Sequence, residues 1–428
     1  MSARRVLSAI VLVTALATLP AAPLAAEPVP EGVPALTGAR QVAAGERHTC
    51  AIVSGGHVLC WGNNDAGNLG QGSYDQYLGR VEVRNATNTG PLTGVTQISV
   101  GDFSTCALLA NTQVRCWGED DHLQLGAGTP QEGFLPVAVR NAAGTANLTG
   151  ATQVMVAPGD FACVILTDRT VRCWGRNDAG QLGDNTLVDR VRPTPVRAVT
   201  GSGVLNDVVE LAGGLEHACA RLTTGQVRCW GENGDGAVGD DTGIDRRRPV
   251  RVKAPDGNGL LTGVAEIGVG WAHSCAVLQT GQALCWGADN GALGNAAPNV
   301  DRFRPAFVRA VSGFEPLNLV DVAEVDGGKE ISCWLMQNEQ LRCSGNGTSG
   351  ELGNGKNQTY YRPVIVSNIP GTGPLTGVDD VSTGAFHACA LLLNTQVRCW
   401  GENEDGQLGT NDVDPRNRPA IVRSEGPG

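Results

Sequence analysis

The sequence predicts an all-β fold built from seven similar units that close into one ring. Its fourteen cysteines form seven pairs, and the two members of every pair are ten positions apart. The first members follow one another at intervals of 56, 57, 56, 56, 58 and 56 residues, as expected of an internal repeat. Glycine supplies 59 of 428 residues and no helical periodicity is visible, which favours short strands and tight turns. With four strand-like segments per repeat, these observations predict a seven-bladed β-propeller of four-stranded blades.

The four segments of a repeat can be justified in chain order. Residues 95–100 exemplify the first strand, and residues 50–53 and 57–60 form the second and third strands around Ser-Gly-Gly. Residues 192–197 exemplify the fourth strand, which begins near a proline. Proline cannot donate a ladder hydrogen bond, so the fourth strand suits the outer edge of a blade.

The two cysteines of each repeat are expected to face each other across a hairpin. A three-residue turn places Cys50 directly opposite Cys60, and Gly56, Gly225 and Gly281 stand where such a turn requires a positive φ. Directly opposed strand residues lie within disulfide range. Because no C-x-x-C spacing occurs, disulfides are favoured over metal sites, and seven pairs of buried free thiols are the alternative. The expected disulfides are Cys50–Cys60, Cys106–Cys116, Cys163–Cys173, Cys219–Cys229, Cys275–Cys285, Cys333–Cys343 and Cys389–Cys399.

The N-terminus has the pattern of a secretory signal peptide, predicted over residues 1–26. Arg4 and Arg5 precede an apolar run that is short for a membrane span, so membrane insertion is not expected. Export agrees with the cysteine content, because disulfides persist in oxidising compartments, and a secreted or cell-envelope location is therefore expected. The unbroken period predicts a single propeller domain over residues 27–428. Its repeats are expected to span about 36–91, 92–147, 148–204, 205–260, 261–317, 318–374 and 375–428.

Charge and motif content restrict the classes of partner and cofactor. A net charge of -11 argues against nucleic acid or an anionic membrane surface, and favours a partner with a basic surface. Residues 234–239 fit G-x-G-x-x-G, but no helix follows them, so a dinucleotide site is not indicated. The acidic turns at 232–236 and 402–406 lack the closing glutamate of a calcium loop and are better explained as Asx-type turns, although calcium there stays open. No cofactor is expected.

Four histidines occupy one repeated position, two residues before the first cysteine. Ser104, Phe161 and Ile331 stand at the same position in the other repeats, so a complete ring of ligands is not formed. We expect each imidazole to bond to backbone within its own blade rather than to hold a metal or act as a general base. The four histidines are His48, His217, His273 and His387.

The recurring string H-x-C-A-x-x…V-x-C-W-G-x-N-x-x-G-x-L-G resembles the regulator-of-chromosome-condensation repeat family. It is most similar to the cysteine-bearing version found in exported bacterial proteins, and the resemblance covers about 36–423. The resemblance implies a propeller that binds proteins through one face. Relatives include a nuclear protein that acts on a small GTPase and chromatin, a secreted bacterial inhibitor of β-lactamases, and a plant sensor of ultraviolet light that uses clustered tryptophans. A guanine-nucleotide exchange role is not expected here, because an exported acidic chain lacks the location and the basic segments.

The sixth repeat departs from the pattern in an informative way. Ser344 replaces the tryptophan of Cys-Trp-Gly, whereas Trp334 stands where the other repeats carry alanine or valine. In the predicted hairpin these two positions are diagonal neighbours on one face. We therefore expect the indole of Trp334 to fill the space that Ser344 leaves.

The most variable short site lies three and four residues before the first cysteine of each repeat, at the loop tips between the first and second strands. A ring arrangement would bring these tips together around one rim, where aromatic anchors stand among charges, as at protein-binding surfaces. Seven unrelated solvated turns are the alternative. The expected binding residues are Glu46, Arg47, Asp102, Phe103, Asp160, Glu216, Trp271, Lys329, Glu330 and Phe386.

The sequence thus predicts an exported, non-enzymatic scaffold that recognises a protein partner through this rim. An inhibitor of a secreted enzyme is one alternative, and an envelope glycan-binding or structural protein is a second. A hydrolase that uses rim acids such as Asp102 or Glu216 is a third, although neither G-x-S-x-G nor H-E-x-x-H occurs.

Overall fold

The computed structural model describes residues 34–130, 133–310 and 318–424, in which seven four-stranded antiparallel sheets surround a common axis. Each blade is built from one continuous repeat, and its four strands neighbour one another in sequence order. The predicted seven-bladed propeller is confirmed. The predicted signal peptide lies outside the described residues, and within them no helix is long and apolar enough to span a bilayer.

The strands are numbered in chain order, four to a blade, from the axis outward. Blades one to four comprise β1 (Gln41–Ala44), β2 (His48–Val53), β3 (His57–Gly62), β4 (Tyr77–Glu82), β5 (Val95–Val100), β6 (Ser104–Leu109), β7 (Val114–Gly118), β8 (Gly133–Ala138), β9 (Ala151–Ala157), β10 (Phe161–Leu166), β11 (Val171–Gly175), β12 (Arg190–Pro195), β13 (Val208–Gly213), β14 (His217–Leu222), β15 (Val227–Gly231) and β16 (Arg246–Arg251). Blades five to seven comprise β17 (Val264–Val269), β18 (His273–Leu278), β19 (Ala283–Gly287), β20 (Arg302–Phe307), β21 (Val322–Gly327), β22 (Ile331–Met336), β23 (Leu341–Gly345), β24 (Tyr360–Ile365), β25 (Val378–Thr383), β26 (His387–Leu392), β27 (Val397–Gly401) and β28 (Arg416–Ile421). A 3-10 turn, Ser54–Gly56, joins β2 to β3.

The cysteine hairpins have the predicted register. Cys50 pairs with Cys60 across β2 and β3, and each of the other six cysteine pairs is aligned in the same way. The Cα atoms of the paired cysteines are 4.0 to 4.1 Å apart, and all seven predicted disulfides are formed. One disulfide per blade is therefore confirmed, and such a set is typical of an oxidising compartment.

The hairpin turn needs a left-handed residue at one position. Gly56, Gly225 and Gly281 adopt φ of 73°, 70° and 78° there, as the turn requires. The other four blades place a side-chain residue in the same left-handed region, which is strained for an L-residue. These residues are Thr112, Arg169, Glu339 and Thr395.

Adjacent blades are joined by the tryptophans of the Cys-Trp-Gly motifs. Trp117 is fully buried and its Nε1 donates to the carbonyl of Asn68 in the preceding blade, over 2.8 Å. The same bond recurs at five other junctions at 2.7 to 2.8 Å. Because each indole satisfies its only donor while it fills the space between two sheets, the repeat motif explains the packing of the ring.

The sixth blade shows the expected exchange. Trp334 is fully buried, and its ring lies against Gly294, at the position where the other indoles meet the preceding blade. Ser344 Oγ donates to the carbonyl of Gly291 over 3.0 Å and so keeps a polar bond at this junction. Among the described residues, Trp334 Nε1 has no acceptor. The substitute indole therefore supplies the volume but not the hydrogen bond.

The ring closes without exchange of a strand between its first and last blades. Leu36 N–H donates to the carbonyl of Val422 over 2.8 Å, and Ser424 N–H donates to the carbonyl of Pro34 over 2.7 Å. At an ordinary junction the equivalent bond joins Leu92 to Val83 within one connecting loop, also over 2.8 Å. The chain ends thus reproduce through non-covalent contacts a junction that is covalent elsewhere.

Candidate functional site

The loops between the first and second strands of the blades form a closed ring, which we call the rim. A methyl group built on Gly45 would lie 2.2 Å from the carbonyl oxygen of Gly101, so only glycine allows this approach. Glycines make the same close approach at the other loops, except that the third loop has Pro158 at this position and meets the fourth loop through Gly159. Direct backbone bonds such as Trp271 N–H to the carbonyl of Gly328 reinforce the ring. The expected convergence of the loops is therefore present. The rim comprises residues 45–47, 101–103, 158–160, 214–216, 270–272, 328–330 and 384–386.

One side of the rim is an aromatic sector, which we define as Trp271, Lys329 and Phe386. The ammonium of Lys329 lies 4.3 Å from the ring centroid of Trp271 and 4.5 Å from that of Phe386. Three consecutive blades contribute one residue each, and all three side chains are half-buried. A cation between two ring faces is attracted by the quadrupoles of both rings. These interactions restrict the motion of the two partly exposed rings.

The other side is an acidic sector, which we define as Glu46, Asp102, Glu119 and Asp160. Glu119 belongs to the neighbouring loop that follows Cys-Trp-Gly, and its N–H donates to the carbonyl of Phe103 over 3.0 Å. Burial, and then the charges of Asp160 and other nearby groups, raises the pKa of Glu119. Burial, with a smaller contribution from the charge of Asp121, also raises the pKa of Asp160, whereas His122 and Arg176 offset part of this effect. The sector is therefore crowded with carboxyl groups that repel one another.

Asp102 is the most buried of these acids, with 8 % of its surface exposed. Burial is the main reason that its pKa rises to about 8, and the charges of Glu46, Asp160 and Glu119 add to the rise. Lys329 lowers the pKa from across the rim. At neutral pH the group is therefore mainly protonated in the free protein.

The remaining charged residues predicted on the rim have polar partners close by. Arg47 lies 3.5 Å from Asp405 of the last blade and 3.9 Å from Glu46. The guanidinium of Arg176 lies 3.1 Å from Glu216, and Asn346 donates to Glu330 over 2.8 Å. Phe103 is half-buried, but among the described residues it has no ring or cation contact, so it does not join the aromatic sector.

The prediction that the repeated histidines bond to backbone within their own blades is wrong. Each Nε2 contacts a hydroxyl group of the next blade rather than backbone of its own blade, because that hydroxyl group is the polar group within reach across the junction. The pairs are His48–Thr105, His217–Ser274, His273–Ser332 and His387–Thr49, at 2.7 to 2.9 Å. Burial is the leading cause that lowers the pKa of His48, His217 and His387 to about 3 and that of His273 to about 4. These neutral imidazoles thus stabilise the junctions beneath the rim.

The sequence contained a signal for these pairs that motif analysis within one repeat missed. A hydroxyl residue precedes the first cysteine only in repeats that follow a histidine-bearing repeat. Where the preceding repeat lacks histidine, the position is Ala162, Ala218 or Ala388. The correlation runs between repeats, which is why it identifies a contact across blades.

The acidic turns are organised by asparagine side chains. Asn233 Nδ2 donates to the carbonyls of Thr242 and Ile244, and Asn403 makes equivalent bonds in the last blade. These bonds differ from the predicted Asx turns, because the side-chain oxygens of Asn233 and Asn403 accept the N–H groups of Val238 and Leu408, five residues on, and the asparagines thus bridge the whole loop. In the described ranges, no group of three or more histidine, cysteine, aspartate or glutamate side chains is arranged to hold a metal ion.

Comparisons with known proteins agree with this architecture. Ultraviolet-B receptor UVR8 of Arabidopsis thaliana is 27% identical over 388 residues, which are 90% of this chain and 81% of the receptor. Human E3 ubiquitin-protein ligase HERC2 is 24% identical over 86% of this chain, but the match spans only 7% of that ligase. Human WBSCR16 superimposes with a TM-score of 0.66 at 19% identity, over 83% of this chain and 87% of that protein. Yeast RCC1 (Prp20), solved bound to Kap60, superimposes with a TM-score of 0.64 at 18% identity, over 96% of this chain and 91% of that protein.

Sequence profiles assign the family. The profile of the RCC1-like domain matches residues 17–372, and the profile of the regulator of chromosome condensation (RCC1) repeat matches residues 378–407. The first of these alone covers more than half of the chain, and the seven four-stranded blades agree with it. The protein therefore belongs to the RCC1-like domain family, as the resemblance in its repeats predicted.

Proposed function

We propose that this protein is an exported, non-enzymatic scaffold that recognises a protein partner through the rim. The observation that carries the proposal is the aromatic sector, in which Trp271 and Phe386 enclose the ammonium of Lys329. Half-buried rings that are already immobilised lose little conformational entropy when a partner covers them, and aromatic residues dominate binding hot spots. Seven disulfides support a location in an oxidising compartment.

Membership of the family supports a binding role over catalysis. One relative is named as a receptor, and the yeast relative was solved as a complex with another protein. HERC2 is named as a ligase, but the match spans 7% of its length, so the ligase name carries no activity over to this chain. A protein partner is therefore the class to test first.

The test is a cross-linking capture from the secreted and envelope fractions of the source. The tagged protein is compared with a Phe103→Ala/Trp271→Ala/Phe386→Ala variant and with Leu393→Ala as a matched control. Leu393 is an exposed apolar residue at a hairpin turn on the opposite face, with 50% of its surface exposed. We expect one saturable protein band with the wild type and with Leu393→Ala, and loss of this band with the triple variant.

The other outcomes distinguish the alternatives. A band that survives in the triple variant contradicts recognition through the rim. If no protein is captured and the propeller instead pellets with envelope polysaccharide, the glycan-binding alternative replaces the proposal. If the captured protein is an enzyme whose turnover falls on binding, the scaffold acts as an inhibitor.

A further inference from the structure

The acidic sector contains a buried carboxyl group that the protein itself leaves unpaired. Asp102 is more than nine-tenths buried, yet within residues 34–130, 133–310 and 318–424 no hydrogen-bond donor reaches its carboxylate. Glu46 and Asp160 approach it from the two neighbouring blades, and Lys329 acts on it from across the rim. Neither oxygen of this carboxyl group is enclosed without a partner, so the group is reached by solvent from the rim and is open to a donor that approaches from outside.

The cation that acts on Asp102 is held elsewhere on the rim, and the nearby guanidinium groups of Arg47 and Arg176 are paired with Asp405 and Glu216. Lys329 contacts the faces of Trp271 and Phe386 and makes no ion pair with Asp102. A cation placed at Asp102 would also experience the fields of Glu46, Glu119 and Asp160. Thus the rim offers an acceptor with surrounding negative charge, and the part of the chain that the structure describes supplies no donor to it.

We propose that the acidic sector accepts a lysine or arginine side chain of the protein partner, with the Asp102 carboxylate as its ion-pair acceptor. This inference rests on the proposed function, and it names the chemistry of the partner: an exposed basic side chain that reaches the rim. Arginine fits best, because its planar group can donate to Asp102 and to a neighbouring carboxylate at the same time. The excess of acids on the rim and over the whole chain would also steer a basic partner toward this face.

Binding of this kind is coupled to loss of a proton. The free protein holds a proton on Asp102 up to about pH 8, whereas an ion pair requires the carboxylate. The affinity for a cation must therefore rise between pH 6 and pH 9, as the cost of removing the proton disappears. Arginine keeps its charge throughout this range, so the ligand does not contribute to the change. The groups that face Asp102 are Glu46, Glu119, Asp160 and Lys329.

The probe is a fluorescein-labelled hexa-arginine peptide, with hexa-citrulline as the uncharged control of the same shape. Binding is measured by anisotropy at pH 6 and pH 9 with the full chain. The fluorescence of Trp271 offers a second signal at the rim, because the other seven tryptophans are fully buried. The variant is Asp102→Asn, and its control is Asp168→Asn, an equal change of charge at an exposed hairpin turn on the opposite face. In that control Oδ1 can still accept the Thr170 N–H.

We expect the wild type to bind hexa-arginine at least roughly 10-fold more tightly at pH 9 than at pH 6. At pH 9, Asp102→Asn should weaken binding by about 10-fold or more, the usual effect of losing a charge-assisted bond. The same variant should lose most of the pH dependence, whereas Asp168→Asn should behave as the wild type. Equal affinity of Asp102→Asn and the wild type at pH 9 would overturn the inference, as would equal binding of hexa-citrulline.

The capture experiment separates this inference from the proposed function. If Asp102→Asn captures the partner as the wild type does while the aromatic triple variant does not, recognition through the rim stands and insertion of a cation is wrong. If the aromatic triple variant keeps the partner, the proposed function fails, whatever the peptide shows. Thermal unfolding of Asp102→Asn checks that the substitution, which replaces a buried acid by its neutral isostere, leaves the fold intact.

Discussion

At the scale of single residues, the repeats serve as controls for one another. Gln124, Gln181 and Gln407 occupy one buried position, and each side-chain oxygen accepts the N–H two residues earlier, over 2.9 to 3.0 Å. Glu351 occupies this position in the sixth repeat and accepts the N–H of Ser349 over 2.9 Å. Burial raises the pKa of Glu351 to about 7, and the charges of neighbouring glutamates add to the rise.

Glu351→Gln should therefore stabilise the protein in a pH-dependent way. The folded pKa of about 7 exceeds the ordinary value of 4.5, so wild-type stability declines as pH rises from 4.5 to 7. Glutamine keeps the bond to Ser349 without this loss. The gain should be small at pH 4.5 and level off above pH 7 at about 3 kcal/mol, measured by urea unfolding.

The reciprocal change provides the control for this prediction. Gln407→Glu introduces a carboxyl at the matching position of the seventh repeat, and it should destabilise the fold at pH 8 but much less at pH 4.5. The buried histidines titrate equally in variant and wild type, so their contribution cancels in the difference. A gain for Glu351→Gln that is constant from pH 4.5 to pH 8 would exclude titration as its cause.

At the scale of the secondary-structure elements, the hairpins explain why so much of the fold was predictable. The spacing of Cys50 and Cys60 determines turn length, register and disulfide together, because all three are local properties of one hairpin. The exchange of Trp334 and Ser344 was predictable for the same reason. By contrast, the partners of the histidines lie on another blade, and the pattern within one hairpin contains no information about them.

The sixth hairpin allows a direct test of this exchange. Trp334→Ala should cost about 3–5 kcal/mol, because a fully buried indole is lost and a cavity remains. Ser344→Trp alone should also destabilise, since two indoles would compete for one space. The double variant restores the alanine and tryptophan of the other repeats and should recover most of the loss. Denaturant unfolding of the wild type, the two single variants and the double variant gives the coupling free energy between the two positions.

Additivity is the outcome that contradicts this interpretation. If the cost in the double variant equals the sum of the two single costs, Trp334 and Ser344 do not share one space. A matched pair in an ordinary blade, Ala276→Trp combined with Trp286→Ser, tests whether the exchange can be transferred. It should be tolerated better than either of its single changes.

At the scale of the whole molecule, the least predictable features were the closure of the ring and the division of the rim into two sectors. The rim positions were visible from repeat alignment, and the structure brings Trp271, Lys329 and Phe386 together as neighbours. The burial of Asp102, however, depends on the approach of neighbouring blades, which no local pattern encodes. Closure likewise joins two segments that both carry the ordinary junction sequence but are far apart in the chain, and only the ring geometry makes them neighbours.

The closing junction should be the weakest of the seven. Leu36 and Leu261 are equivalent, buried residues, and each donates its N–H to the valine carbonyl of the preceding blade, over 2.8 and 3.0 Å. Leu261 is tied to Val252 by a short loop, whereas Leu36 and Val422 are joined only through the entire ring. Once opened, the closing junction loses more conformational entropy when it forms again than a junction whose two sides are joined by a short loop.

Leu36→Ala and Leu261→Ala remove the same side chain, so hydrogen exchange can compare the two junctions directly. We expect Leu36→Ala to increase exchange along the whole closing junction, including the amides of Leu36, Val422 and Ser424. Leu261→Ala should increase exchange mainly at its own loop, because the short connection returns Leu261 to Val252 quickly. The difference should persist at equal global stability, which urea unfolding monitors. Equal loss of protection at the two junctions would mean that the inter-blade bonds, and not chain continuity, determine how firmly the ring is closed.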